Sequence, residues 1–343
     1  MNIDRFEAIT RQYQNLRIAV VGDYCLDRYL EIDPAKQETS IETGLPVFNV
    51  TNVRAQPGGS GTVLNNLVAL GVGVIFPVGF AGEDGEGYEL RRALAGRPGV
   101  RLDHFMQTSE RHTFTYCKPL VIEPGKAPRE LNRLDRKNWT PTPPALSERL
   151  SAAVSFLANE VDAFALLSQV DHAGTGVLTP RVLETLGEIA RSKLERVILA
   201  DSRQSLRGYP PVLFKMNAAE LAAFTGTTPS SAVTDVAAAA AGLARSNGRP
   251  VIVTLAERGL VGALPDGRTE HLESLPLRGE IDIVGAGDAV SANLTTALAA
   301  GATLREAMEL ANAAASIVIH QLGTTGDASV AAMRDLLFGT AKG

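Results

Sequence analysis

Cysteine is nearly absent. The 343 residues hold two, Cys25 and Cys117, too few and too far apart for a disulfide framework or a cysteine-based zinc site. The five histidines, at 104, 112, 172, 271 and 320, show no metal-ligand spacing, and the single Trp139 and five methionines form no stripe. Neither charge sign dominates, with 33 Lys and Arg against 38 Asp and Glu for a net charge of −5. That balance argues against nucleic acid or an anionic membrane as the main partner. No run approaches the roughly 18 apolar residues that a membrane span needs. The opening MNIDRFEAITRQYQNLR alternates charge and apolarity and lacks the apolar stretch of a secretory signal. These absences lead us to expect a soluble, cytoplasmic protein.

Glycine is what the chain has in quantity, 32 residues that fall at the ends of short apolar runs. LRIAVVG at 16–22 stops at a glycine, as a buried parallel strand does. Helix-compatible 60–70 and the apolar run 72–78 follow. The alternation returns with AFALLS at 163–168 as strand, 180–193 as helix, VILAD at 197–201 as strand, and 213–216 leading into a short helix from Ala218. An alanine-rich helix around 231–246 precedes the strand VIVTL at 251–255. Alternating strands and helices predict an α/β fold, a mainly parallel sheet covered on both faces. Ligands of such sheets lie at the carboxyl ends of the strands. Two segments break the pattern, 29–53 and 111–121, and their β character predicts a small projecting sheet: a lid, a dimer surface, or a plain extension. TPTPP at 140–144 reads as a rigid connector.

The strongest local motif is DIVGAGD at 282–288, followed by a helical run. Gly285 and Gly287 permit a tight turn, and the free N–H groups at a helix start attract anions. A carboxylate there, Asp288, can accept a hydroxyl proton while the amides of Ala286 and Gly287 stabilise phosphoryl oxygens. Equally, an acid in a first helical turn needs no further reason than the helix dipole. PGGSG at 57–61 also opens a helix, without the Lys-Ser or Lys-Thr of a Walker A loop. It serves either as a backbone platform for a polar ligand or as a turn capped by Ser60. Asn217 and Glu220 have the spacing of a capping box; as hard oxygen donors they also suit a magnesium ion held through water. Thr303 and Glu306 repeat the capping pattern. Thr254 and the Gly259 backbone can hold phosphates, and Asp27 can grip sugar hydroxyls.

These motifs occur in a fixed order, and over about 16–329 the chain resembles the PfkB/ribokinase family of carbohydrate kinases. GAGD at 285–288 and the pair Gly58–Gly59 match that family's two signatures. Within it, VVGDYCLDRYL, SIETGLPVFNV, PGGSGTVLNNLVALG, NRLD at 132–135 and ELANAAASIVIHQLGTT are similar to the D-glycero-β-D-manno-heptose 7-phosphate kinases. The resemblance implies a single ribokinase-like three-layer domain over 1–343 with a β lid formed by about 27–53 and 111–135. It implies transfer of the γ-phosphoryl group of Mg-ATP to a sugar hydroxyl, with Asp288 as base, the amides of Ala286 and Gly287 as anion hole, and Gly285 in the same catalytic turn. It places Asp27, Gly58, Gly59 and Thr62 at the sugar, and Lys118 and Arg133 beside a phosphate already on the substrate. For each of these two cations, a solvated charge on an edge strand is the competing explanation. Asn217 and Glu220 fall at the Mg-phosphate region, and Thr254, Gly259 and Asn312 at the nucleotide. Asp282 marks a monovalent-cation site, K+ by the resemblance, and a homodimer through the projecting sheets is implied.

The chain departs from the family pattern at several positions. Thr62 stands for Asn, Ile283, Val284 and Ala289 replace hydroxyl-bearing residues, and Ala256 replaces a glycine of the nucleotide loop. Gln169 stands where the heptose kinases carry an acid, with Asp171 displaced, and Arg203 stands for a Lys. Two alternatives therefore remain beside the heptose phosphate: a nucleoside or unphosphorylated sugar as acceptor, or a nucleotide- or sugar-binding regulator without catalysis.

Overall fold

The computed structural model describes residues 1–230 and 232–339. The short apolar runs assemble into a nine-stranded sheet. From one edge it reads Phe105–Thr108, Val74–Gly82, Arg17–Gly22, Ala163–Ser168, Val197–Ser202, Leu213–Asn217, Val251–Thr254, Leu260–Ala263 and Thr269–Leu272. The first seven strands pair in parallel and the last two antiparallel. Side chains along a strand alternate between faces. Ile18 and Val20 accordingly enter one buried cluster, and Ala19 and Val21 the other. Helices Ser60–Ala69, Ala286–Ala299 and Leu304–Val318 cover the first face. Pro144–Leu157, Pro180–Ser192 and Val233–Asn247 cover the second. This is the expected three-layer sandwich.

The alanine-rich helix expected from Ser231 spans Val233–Asn247, and Ser231 lies outside the described residues. The opening alternation of charge and apolarity is a helix, Ile3–Thr10, that buries Phe6 and Ile9 and is capped by Asn2 Oδ1 accepting from the Arg5 N–H. Among the described residues no helix is long and apolar enough to cross a membrane.

The second sheet has the order Leu134–Arg136, Phe114–Val121, Tyr24–Ile32, Val50–Gly59, with Arg129–Glu130 also pairing to Phe114–Val121. Only Asp23 separates Tyr24–Ile32 from the main-sheet strand Arg17–Gly22. The smaller sheet therefore grows out of the carboxyl end of the larger one. Its pairing is mixed, since Tyr24–Ile32 runs parallel to Phe114–Val121 and antiparallel to Val50–Gly59. Phe114–Val121 lies inside this sheet, so the edge-strand explanation of Lys118 does not apply. Arg133 directly precedes the edge strand Leu134–Arg136.

Candidate active site

The carboxyl ends of the parallel strands and the base of the smaller sheet meet along one crevice. The helix Ala286–Ala299 starts there from Gly285, whose φ is 84°. A Cβ on Gly285 would collide with the Thr325 carbonyl, so both conformation and space require glycine. Asp288 stands in the first turn, partly buried. Burial and the charge of Asp201 push its carboxyl up to about 7, against the cations Lys215 and Arg203. The Ala286 N–H donates to the Ile283 carbonyl at 3.3 Å, a long bond. The Gly287 N–H lies in the first turn, where amides lack intrahelical acceptors.

Behind this turn lies an ion pair. Lys215 Nζ donates to Asp201 Oδ2 at 2.7 Å, and Ser291 Oγ, on the helix of Asp288, donates to the same oxygen at 2.9 Å. A Cβ on Gly287 would stand 3.1 Å from Lys215 Nζ, which puts the ammonium against the turn itself. Burial works against the lysine's charge, but the Asp201 carboxylate more than offsets it and holds its pKa above the ordinary value.

Across the crevice, Asp27 is buried rather than an exposed acid. Burial raises its pKa, opposed by Lys118, Arg203 and Arg133. Lys118 Nζ lies 3.8 Å from Asp27 Oδ1 and donates to Tyr29 Oη at 3.3 Å. Gly58 faces this carboxylate so closely that a Cβ would come within 2.5 Å of Asp27 Oδ2 and 2.8 Å of Cys25 Sγ. Gly59 has φ 60°, and a Cβ there would meet the Asp23 carbonyl at 2.5 Å and Gln169 Cγ at 3.4 Å. Gly59 itself occupies the cap position of helix Ser60–Ala69. Ser60 therefore does not cap the helix; its buried Oγ has no hydrogen-bond partner. Thr62 is buried in that helix, with its carbonyl accepting from Asn66 Nδ2. Arg133 bonds Asp135 at 2.6 Å and lies over the Tyr116 ring.

Next to the Asp288 turn opens a cavity of about 540 Å³. It brings together Asn217, Thr254, Gly259, Asn312, Ala286 and Gly287, with apolar walls that include Leu277, Ile283 and Val290. Glu220 is not among its lining residues. Its Oε2 accepts from the Asn217 N–H at 2.7 Å while Asn217 Oδ1 accepts from the Glu220 N–H at 2.9 Å, a complete capping box. Thr303 and Glu306 form a second. Asn312 donates to the Glu273 carbonyl. Ala256 lies in the loop that lines this cavity, with φ 53°. Asp282 is committed to backbone, accepting from the Val284 N–H at 3.0 Å and the Gly323 N–H at 3.2 Å.

Residues 16–331 match the pfkB family carbohydrate kinase. The chain belongs to that family. It is 33% identical over 308 residues to the bifunctional protein HldE of Azorhizobium caulinodans, covering 90% of this chain and 61% of that protein. To the HldE of Geotalea uraniireducens it is 32% identical over 329 residues, covering 95% and 64%. The chain thus spans about three fifths of the length of these relatives. Its fold is similar to Arabidopsis thaliana ribokinase complexed with ribose and ATP, at TM-score 0.67 and 18% identity, covering 95% of this chain and 99% of that one. Escherichia coli phosphofructokinase-2 in complex with fructose-6-phosphate gives 0.65 and 20%, covering 93% and 97%.

As a pfkB kinase the protein is an ATP-dependent phosphotransferase that acts on a sugar hydroxyl. The sequence motifs supply Asp288, Asp27 and the cavity residues, but not the groups that hold them in place. Asp23 is one: its Oδ2 accepts from the Gln169 N–H at 2.8 Å and its Oδ1 from the Val177 N–H at 2.7 Å. It thereby ties the strand end to the 169–177 loop. Lys215 and Asp201 are others. A charged residue inside an apolar run, as Lys215 is in LFKM, is the signal that could have found them, since such a charge has to be paired. Mg²⁺ keeps water and phosphate ligands and needs only one or two protein carboxylates; the carboxylate next to the cavity is Glu220, which accepts from the N–H of the cavity residue Asn217.

Proposed function

We propose that this pfkB kinase transfers the γ-phosphoryl group of Mg-ATP to a hydroxyl of a sugar phosphate of the heptose 7-phosphate type, with Asp288 as general base. The observation that carries it is Asp288 in a helix start that borders both the nucleotide-sized cavity and the crevice of Asp27. In a loose phosphoryl transfer the hydroxyl proton leaves late, so the position of Asp288 matters more than its basicity. The resemblance to the heptose kinases and the identity to HldE proteins over nine-tenths of the chain support the acceptor. In this reading Asp27, Gly58, Gly59 and Thr62 form the sugar side, with Lys118 and Arg133 toward the acceptor's phosphate. Thr254, Gly259 and Asn312 hold the nucleotide, and Asn217 and Glu220 orient water around Mg²⁺. The Asp282 turn is the place for K+.

The whole chain acts as one domain, in the cytoplasm where ATP is supplied. The segments 27–53 and 111–135 close as a lid that excludes water from the transfer. The exposed apolar residues Ile41, Leu45, Phe48, Val50 and Val53 support a homodimer through that lid.

One observation favours an unphosphorylated acceptor: Lys118 and Arg133 are already paired with Asp27 and Asp135. Mg-ATP-dependent ADP release across sugars, nucleosides and sugar 1-, 6- and 7-phosphates separates the two, with Asp288→Asn as control. Turnover with a heptose 7-phosphate supports the proposal. Turnover only with other acceptors keeps the kinase and removes that substrate, and undiminished turnover in Asp288→Asn removes the base.

A further inference from the structure

We propose that Arg203, a third cation beside Lys118 and Arg133, receives the phosphate already carried by the acceptor, and that as the unpaired one it sets the preference for a phosphorylated over a neutral sugar. The inference rests on the acceptor being a sugar phosphate, as proposed above.

The charges of the crevice pair off almost completely. Lys118 is matched to Asp27 at 3.8 Å, Arg133 to Asp135 at 2.6 Å and Lys215 to Asp201 at 2.7 Å. Lys137 is matched to Asp171 at 2.5 Å. Each cation is thus neutralised by a carboxylate that a phosphate would have to displace. Arg203 differs. Its N–H donates to the Ser168 carbonyl at 3.1 Å, which fixes the backbone. Its side chain is exposed, with no hydrogen bond or ion pair to a protein group among the described residues.

Its place in the fold is equally specific. Arg203 is the first residue after strand Val197–Ser202, at the carboxyl edge where the crevice opens. Its charge reaches Asp27 and Tyr116 of the smaller sheet as well as Asp288 and Asp171 of the main body. Arg203 thus stands, exposed, within electrostatic range of groups from both sheets. Among the described residues of the crevice, Asp288 and Arg203 form no close ion pair. A monophosphate brings a charge of about −1.5 to −2 at neutral pH. Without a free cation it would be repelled by Asp288. A guanidinium offers two parallel N–H donors to phosphate oxygens and stays charged at every working pH. An anchor at the crevice edge also leaves the far hydroxyls of the sugar free to reach Asp288.

The test compares a heptose 7-phosphate with the same heptose lacking phosphate, as kcat/KM for each acceptor, in wild type, Arg203→Ala and Arg203→Lys. Calorimetric binding of each sugar in the presence of a non-hydrolysable ATP analogue gives a readout independent of turnover. We expect the preference ratio to fall 10- to 100-fold in Arg203→Ala and to stay within a few-fold of wild type in Arg203→Lys. If Arg203→Ala weakens both acceptors alike, or leaves the ratio unchanged, Arg203 is not the anchor, although a wild-type preference would still support the phosphorylated acceptor. If wild type neither binds nor prefers the phosphorylated sugar, that acceptor fails and the role of Arg203 with it, while ADP release on a neutral sugar would keep the kinase.

Discussion

Lys215 Nζ lies 2.7 Å from Asp201 Oδ2, with both residues buried against the turn that presents Asp288. The two partners act on Asp288 in opposite senses, the carboxylate raising its pKa and the ammonium lowering it. The pair is therefore more than a structural tie between the strand ends of Val197–Ser202 and Leu213–Asn217. It sets the electrostatic level at which the proposed base works.

Removing one charge of that pair should show in two ways. Asp201→Asn leaves a buried ammonium without its counter-ion, a loss of about 3–5 kcal/mol in comparable cases. It also removes a negative neighbour of Asp288, so the acidic limb of the pH–kcat/KM profile, expected near 7 in wild type, should move to lower pH. Denaturant unfolding together with the double variant Asp201→Asn, Lys215→Met checks the first effect. The double variant should recover much of the stability, because it no longer leaves an unpaired charge buried. A limb that stays in place in Asp201→Asn would mean that Asp201 does not tune the base.

Asp288 itself should be destabilising when ionised. Its folded pKa, about 7, exceeds the unfolded value of about 3.9, so between these values the folded chain binds more protons than the unfolded one. Stability contributed by the protonated group is complete below the unfolded pKa and is lost as pH rises through the folded one. Asp288→Asn cannot ionise. It should lower kcat by orders of magnitude yet unfold at a higher temperature than wild type at pH 8, with the difference closing toward pH 4. A tenfold change in a proton-binding constant corresponds to about 1.4 kcal/mol, so the gap is large enough for thermal melts to resolve. Equal melting curves at pH 8 would show that the Asp288 carboxylate is not held in a disfavoured state.

The fold is legible because apolar runs ending in glycine carry their own meaning. LRIAVVG and AFALLS are neighbouring parallel strands, with Ile18 opposite Ala163. The smaller sheet is legible only in outline. β character in 29–53 and 111–121 does not reveal that Tyr24–Ile32 joins it directly from the main sheet, since only Asp23 intervenes. At the site, residues belonging to local motifs stand out, as Asp288 does beside Gly285 and Gly287. Residues whose role depends on a partner far along the chain do not. Asp23 holds Val177 across 154 positions, and no local spacing encodes that bond. Arg203 shows in the sequence only as a departure, because its free charge becomes visible once every other cation of the crevice has its partner.

Two residues of one loop should respond in opposite ways to exchanges between alanine and glycine. Among the described residues Ala256 alone is a non-glycine residue with positive φ, 53°, a conformation that costs an L-residue about 1 kcal/mol or more. Ala256→Gly relieves that strain and loses part of the gain to the freer unfolded chain. We expect a stability change within about 1 kcal/mol on the favourable side, with no rise in KM for ATP. Gly259 has φ 84° and ψ −129°, and a Cβ on it would collide with the Leu272 carbonyl. Gly259→Ala should therefore destabilise the protein and raise KM for ATP together. Thermal melts and ATP saturation curves on both variants test this, and a neutral Gly259→Ala would contradict the loop geometry.

Gly58→Ala should damage the acceptor side and spare the nucleotide side. Its Cβ would come within 2.5 Å of Asp27 Oδ2 and 2.8 Å of Cys25 Sγ, both closer than such atoms can stand, so both side chains have to give way. Moving Asp27 also disturbs its pairing with Lys118 at 3.8 Å, whereas Thr254, Gly259 and Asn312 belong to a cavity that neither Gly58 nor Asp27 lines. The expected result is a rise of at least tenfold in KM for the sugar with KM for ATP within about twofold, since each displaced hydrogen bond to a charged group is worth about 1.5–3 kcal/mol. Adding Cys25→Ala distinguishes the cause. It clears the sulfur but not the carboxylate, so the double variant should stay impaired if Asp27 grips the sugar. Recovery in the double variant would instead assign the defect to packing around Cys25 and remove the evidence that Gly58 is a glycine for the sake of Asp27.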